Sequence, residues 1–174
     1  MKKFTITLVI IIGCNWLQAQ SLKKYDIGGS GCKAYFFCNP GEFVLSYSAD
    51  SSKVYTGECK ADSLNWGIIC VALKQPVSPG QEAEDLLTSY LDFLKTVYNT
   101  SSAAGYGKGH SMKNNADVKG MIDYWTDKDG DEWKIKGWTD GKFIAVLYVY
   151  AQGKLEETSK VNLFLDGFRF KGMQ

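Results

Sequence analysis

Two Asp-Gly dipeptides, Asp129-Gly130 and Asp140-Gly141, each separate runs of apolar and aromatic residues. Glycine takes up positive φ without steric cost, so Asp-Gly is a strong signal for a tight hairpin. The flanking runs, residues 118–126, 132–139 and 142–150, are therefore predicted to be an antiparallel meander. Side chains alternate across a strand, so two-residue turns assign the faces. Ile122, Tyr124, Trp133, Ile135, Ile144, Val146 and Tyr148 fall on one face. Met121, Asp123, Trp125, Lys134, Lys136, Trp138, Phe143, Ala145, Leu147 and Val149 fall on the other, with Asp123 opposite Lys136 as a cross-strand pair of opposite charge. The last run is apolar on both faces, which predicts a central strand covered on both sides.

Upstream, residues 43–48, 53–61 and 66–73 read as strands. The polar stretch Asp62-Ser63-Leu64-Asn65 turns the last two into a hairpin. A helix is predicted over 79–98: Ser78 is placed to cap, Pro79 suits the first helical position, and Gln81 completes a capping box. Ala83, Leu86, Leu87, Tyr90, Leu91, Leu94, Val97 and Tyr98 recur at helical spacing. Residues 155–167 repeat apolar side chains at the same spacing and predict a second amphipathic helix. The expected fold is α+β: an antiparallel sheet with an N-terminal hairpin, flanked by one helix on each face.

The first nineteen residues read as a signal peptide. Lys2 and Lys3 precede an apolar run over 4–12, too short to span a bilayer, and Ala19 is a small residue at the expected cleavage point. An alternative is lipidation: Ile11-Ile12-Gly13-Cys14 resembles a lipobox, with Cys14 acylated. Either route exports the chain, to the periplasm or the exterior, with a lipid anchor only in the second case. Residues 20–42 read as a loose N-terminal arm carrying Cys32 and Cys38, and 43–174 as a single domain. Removing the leader takes away two lysines and no acid, which turns the formal +1 into −1. That balance argues against nucleic-acid binding driven by bulk charge. Cys32, Cys38, Cys59 and Cys70 remain, an even number that in an exported chain favours two disulfides. The expected pairs are Cys32–Cys38 and Cys59–Cys70, the latter across the hairpin if its turn is Leu64-Asn65. Zinc is the alternative, but no Cys-x-x-Cys is present and His110 is remote in sequence. No metal or cofactor is expected.

The element order, the Val118-Lys119-Gly120 entry to the meander, the two-turn ribbon and the Phe168-Arg169-Phe170 ending together resemble the PsbP-like fold. That fold is named for an extrinsic subunit of photosystem II and is shared with a Ran-GTPase-binding import factor and many exported bacterial proteins. The resemblance spans residues 43–170. It implies an α/β/α sandwich and a non-catalytic domain that binds a partner, and it carries over no site residues.

Chemistry-bearing motifs are few. Asp127 to Glu132 clusters acids, but its Gly falls at the wrong position for an EF-hand, and aspartates beside glycine are what a turn requires. Ser111 follows His110 directly, so in a strand the two point to opposite faces. No Gly-x-Ser-x-Gly elbow occurs. His110 reads as a surface or loop histidine. Trp125, Lys134, Lys136 and Trp138 form the candidate binding patch, since aromatics and cations are favoured at interface hot spots. The competing reading packs both tryptophans under a helix, with the lysines reaching out at its edge. The functional expectation is a non-catalytic exported binding or adaptor domain acting on a protein or envelope component. Alternatives are a hydrolase with an unrecognised site, or a carrier of a small apolar ligand between sheet and helix.

Overall fold

The computed structural model describes residues 21–113 and 115–173. The predicted signal peptide and Cys14 lie outside the described residues. Among the described residues the chain is α+β, mostly antiparallel sheet with two α-helices. In order, its elements are β1 (Lys23–Asp26), β2 (Lys33–Phe36), β3 (Val44–Tyr47), β4 (Lys53–Ala61), β5 (Leu64–Ala72), α1 (Gln81–Val97), β6 (Thr100–Ala103) and β7 (Gly107–Met112). There follow β8 (Asn115–Asp127), β9 (Glu132–Thr139), β10 (Phe143–Ala151), α2 (Ser159–Leu165) and β11 (Phe168–Arg169). The main sheet runs β3-β4-β5-β10-β9-β8-β6, with β7 also paired to β8. The doubly apolar β10 lies at its centre, hydrogen-bonded to β5 and β9.

Alternation along β10 divides the core in two. Ile144, Val146 and Tyr148 pack with Ile69, Val71, Met121, Trp125 and Ile135 beneath α1, which contributes Leu87, Leu91 and Leu94. Ala145, Leu147 and Val149 pack with Trp66 and Ile68 against Val161, Phe164 and Leu165 of α2. Phe164 meets the rings of Phe36 and Trp66 edge-on, at 5.0 and 5.3 Å between centroids.

Several expectations are corrected. The arm over 20–42 is ordered into the fold: β2 pairs with both β1 and β11 in a three-stranded sheet. Ile27, Cys32, Ala34 and Phe36 of this segment are fully buried. Its glycines and lysines suggested a loose leader, but its apolar residues alternate onto the α2 side of the core. Helix α1 begins two residues later than predicted, because Gly80 has φ 98° and no side chain caps there. Glu82, not Ser78, supplies the local bond, accepting from the Ser78 N–H at 3.0 Å. Val97, expected on the buried stripe, is exposed.

The β4–β5 turn is Asp62-Ser63, both in the left-handed region at φ 53° and 63°, which suits a two-residue hairpin. Cys59 therefore faces Trp66, and Cys70 faces Tyr55. Four residues of extended chain separate Cys59 from the pairing position of Cys70, roughly 13 Å at about 3.3 Å per residue and beyond disulfide reach. The length of β2 likewise keeps Cys32 from Cys38. The bond formed is Cys38–Cys59, while Cys32 and Cys70 are buried thiols.

Between β8 and β9 the last paired residues are Thr126 and Glu132, so five residues make the turn instead of two. An odd change of register moves a whole strand to the other face. Met121, Asp123 and Trp125 consequently share the α1 face with Trp133 and Ile135, and Asp123 pairs with Ile135, not Lys136. The longer turn is held by Asp127, whose carboxylate accepts from the N–H of Asp129 and Asp131 and from the Trp133 indole, at 2.9, 3.0 and 2.9 Å. Desolvation acts to raise its carboxyl, but the same bonds together hold it below the ordinary range. Its oxygens serve the turn.

Candidate functional site

The four predicted patch residues do not share a surface. Trp125 is on the α1 side, while Lys134, Lys136 and Trp138 alternate on the opposite face of β9. All four are nearly enclosed: Trp125 and Lys134 are 2% exposed, Trp138 3% and Lys136 7%. The Trp138 indole donates to the Leu165 carbonyl at 3.0 Å, anchoring the end of α2 to the sheet. The two ammonium groups reach the rim of α2. Lys134 is ion-paired with Glu157 and donates to Asn162 Oδ1 at 2.9 Å. Lys136 is paired with Asp166, the C-cap residue of α2.

Lys136 and Trp138 do belong to a concave site. A cleft of about 770 Å³ opens between β7, the start of β8, β9 and the chain beyond α2. His110 and Lys113 come from the β7 side, Lys136 and Trp138 form the floor, and Asp166 and Arg169 come from the C-terminal end. Each position has a local cause. His110 pairs with Gly120 on β8. Gly120 has no side chain, so the Trp138 ring and the His110 Cβ both close over it: a Cβ at 120 would lie 2.4 Å from the ring and 2.9 Å from His110. The Lys136 ammonium lies 4.6 Å from the Trp138 ring centroid, a cation–π contact that adds to its pairing with Asp166. Arg169 is held by its own backbone, Nη1 donating to the carbonyls of Asp166 and Phe168 at 3.0 and 2.6 Å.

The electrostatics of the cleft follow from that arrangement. Burial, and then the charge of Lys136, hold the His110 imidazole below its ordinary pKa, with Asp166 opposing in part. Lys134 is lowered for the same leading reason, desolvation, followed by repulsion from Lys136. Asp166 is the one carboxylate among the residues lining the cleft, and Lys136 already neutralises it. Lys113 and Arg169 then leave the lining with surplus positive charge. Of these residues, sequence reasoning singled out Lys136 and Trp138 and left His110 as a surface residue. It missed Lys113, Asp166 and Arg169, which lie in two segments more than fifty residues apart and carry no local motif.

A second polar cluster lies beneath α1. Asp123, fully buried, accepts from the Trp125 indole at 2.7 Å and the Gly105 N–H at 3.0 Å, and pairs with Lys95 at 3.3 Å. Lys95 also donates to Tyr106, which donates to Asp92 at 2.6 Å. Every group there has a partner, so the cluster fastens the 105–106 loop and α1 to β8. On the sheet edge, β3 exposes Val44, Leu45 and Tyr47.

No helix among the described residues is long and apolar enough to cross a membrane. No protein-family model matches the chain, and no curated protein matches it either.

Proposed function

We propose that the chain is an exported, non-catalytic binding domain of PsbP-like architecture that uses the His110–Trp138–Arg169 cleft to hold an acidic group of a protein or envelope component. The observation that carries this reading is the charge of the cleft. Its three permanent cations, Lys113, Lys136 and Arg169, meet a single carboxylate that is already paired, beside the apolar ring of Trp138. A concave site with aromatic floor and surplus positive charge suits a ligand that presents an anion on an apolar body. The Cys38–Cys59 disulfide is compatible with an oxidising compartment and supports export. The layered arrangement, with α1 over one face and α2 over the other, supports the PsbP-like reading. Side chains of both helices pack directly on the sheet, which favours recognition at the surface over carriage of an apolar molecule inside.

The test is capture from a cell-envelope fraction by wild type and by Lys113→Glu/Arg169→Glu. Both side chains stand at the rim, so circular dichroism should report an unchanged fold. A captured component should be lost from the variant and should release from wild type with added salt, as charge screening requires. Equal capture by the two proteins would refute the assignment of the cleft.

A further inference from the structure

Cys32 and Cys70 come from different sheets: Cys32 immediately precedes β2 of the small sheet, and Cys70 sits in β5 of the main sheet. Both are completely buried, in the same apolar cluster. The two thiols adjoin, each the leading influence on the other's ionisation, and Ser30 lies beside both. Two further contacts hold this approach. Ser30 Oγ accepts from the Cys32 N–H at 3.0 Å and donates to the Ile27 carbonyl at 2.6 Å, which fixes the 27–32 loop. That loop lies directly on Tyr55, the residue opposite Cys70: a Cβ on Gly28 would come within 2.8 Å of the Tyr55 ring. The loop that leads into Cys32 is thus seated on the strand that pairs with Cys70.

We propose that Cys32 and Cys70 are the site of a second disulfide, formed by exchange with a disulfide carrier while the 27–32 loop is still open. The Cys32 thiolate attacks one sulfur of the carrier, R–S–S–R, and displaces one RS⁻, which takes up the proton lost by Cys32. The Cys70 thiolate then attacks the Cys32 sulfur of the mixed disulfide and displaces the second RS⁻, which takes up the Cys70 proton. Two electrons pass to the carrier, which leaves as two thiols. The order follows from the environment: the hydrogen bond from Cys70 holds the Cys32 thiol low, while the hydrogen bond to Cys32 and burial push Cys70 up. Once the loop closes, neither sulfur is open to solvent, so the bond is shielded from reductants.

The full-length chain, reduced and unfolded, is refolded in oxidised and reduced glutathione, alkylated in denaturant and mapped by mass spectrometry without reduction. The expected result is a Cys32–Cys70 linked peptide beside Cys38–Cys59, with the first link retained in Cys38→Ser/Cys59→Ser. Alkylation of both Cys32 and Cys70 beside an intact Cys38–Cys59 bond overturns the proposal. So does any other partner for either sulfur, Cys14 and glutathione included. If the double variant does not fold, the wild-type map decides alone.

Discussion

The indole of Trp138 lies across the backbone of Gly120, so close that a methyl group at position 120 would stand 2.4 Å from the ring. The glycine is what allows the floor of the cleft to be flat. Gly120→Ala should force the indole away from Leu165 and from His110 and cost about 1–3 kcal/mol, the usual range for overpacking. Urea unfolding of the variant measures the loss. An unchanged midpoint would mean that the ring moves freely and does not anchor α2.

Asp123 is a buried carboxylate whose removal leaves its donors without an acceptor. Asp123→Ala strands the Trp125 indole N–H and the Gly105 N–H and removes one of the two carboxylates paired with Lys95. A loss of about 3 kcal/mol is expected, as for breaking a buried hydrogen-bonded ion pair. Asp123→Asn, which keeps one acceptor, should lose less. Denaturant melts of both variants give the comparison.

The Cys38–Cys59 bond closes a loop with a sequence separation of 21. Constraint of the unfolded chain by a loop of that length contributes about 3 kcal/mol. Cys38→Ser/Cys59→Ser should lower stability by that order, and a reductant should have no further effect at this pair. Thermal unfolding with and without reductant checks it.

His110 sets part of the acid response. Its folded-state pKa is depressed below the ordinary 6.5 by burial and by Lys136. As pH falls through 6.5 the unfolded chain therefore takes up a proton before the folded chain does. Folding loses stability from there down to the folded-state pKa, below which this loss levels off. His110→Gln should remove this part of the slope and leave stability above that window nearly unchanged. Chemical denaturation across the acid range provides the measurement, and an identical slope in the variant would show that His110 does not titrate differentially.

Much of the architecture was legible in the chain. The doubly apolar run over 142–150 became the central strand, observed over Phe143–Ala151, because only a strand covered on both faces can bury such a sequence. Ala83, Leu87, Leu91 and Leu94 of the helical stripe, and Val161 and Phe164 of the closing segment, were read from the same periodicity that buries them, whereas Val97 of that stripe faces out. Register was harder. The Asp129-Gly130 turn is five residues long because Asp127 gathers the N–H groups of Asp129 and Asp131. That one departure from a two-residue turn put Asp123 and Trp125 on the other face and dissolved the predicted patch. The hairpin turn at Asp62-Ser63, in place of Leu64-Asn65, likewise separated Cys59 from Cys70.

By itself, then, the order of apolar and turn residues determined the strands of the first hairpin and of the meander, the two helices and the central place of β10, because hydrophobic periodicity and glycine are local signals. Tertiary structure alone decided which side chains meet: Cys38 with Cys59, Lys136 with Asp166, His110 with Gly120. These partners are far apart along the chain or depend on single-residue shifts of register. Their encounter is set by how sheets and helices pack, and no short segment encodes it.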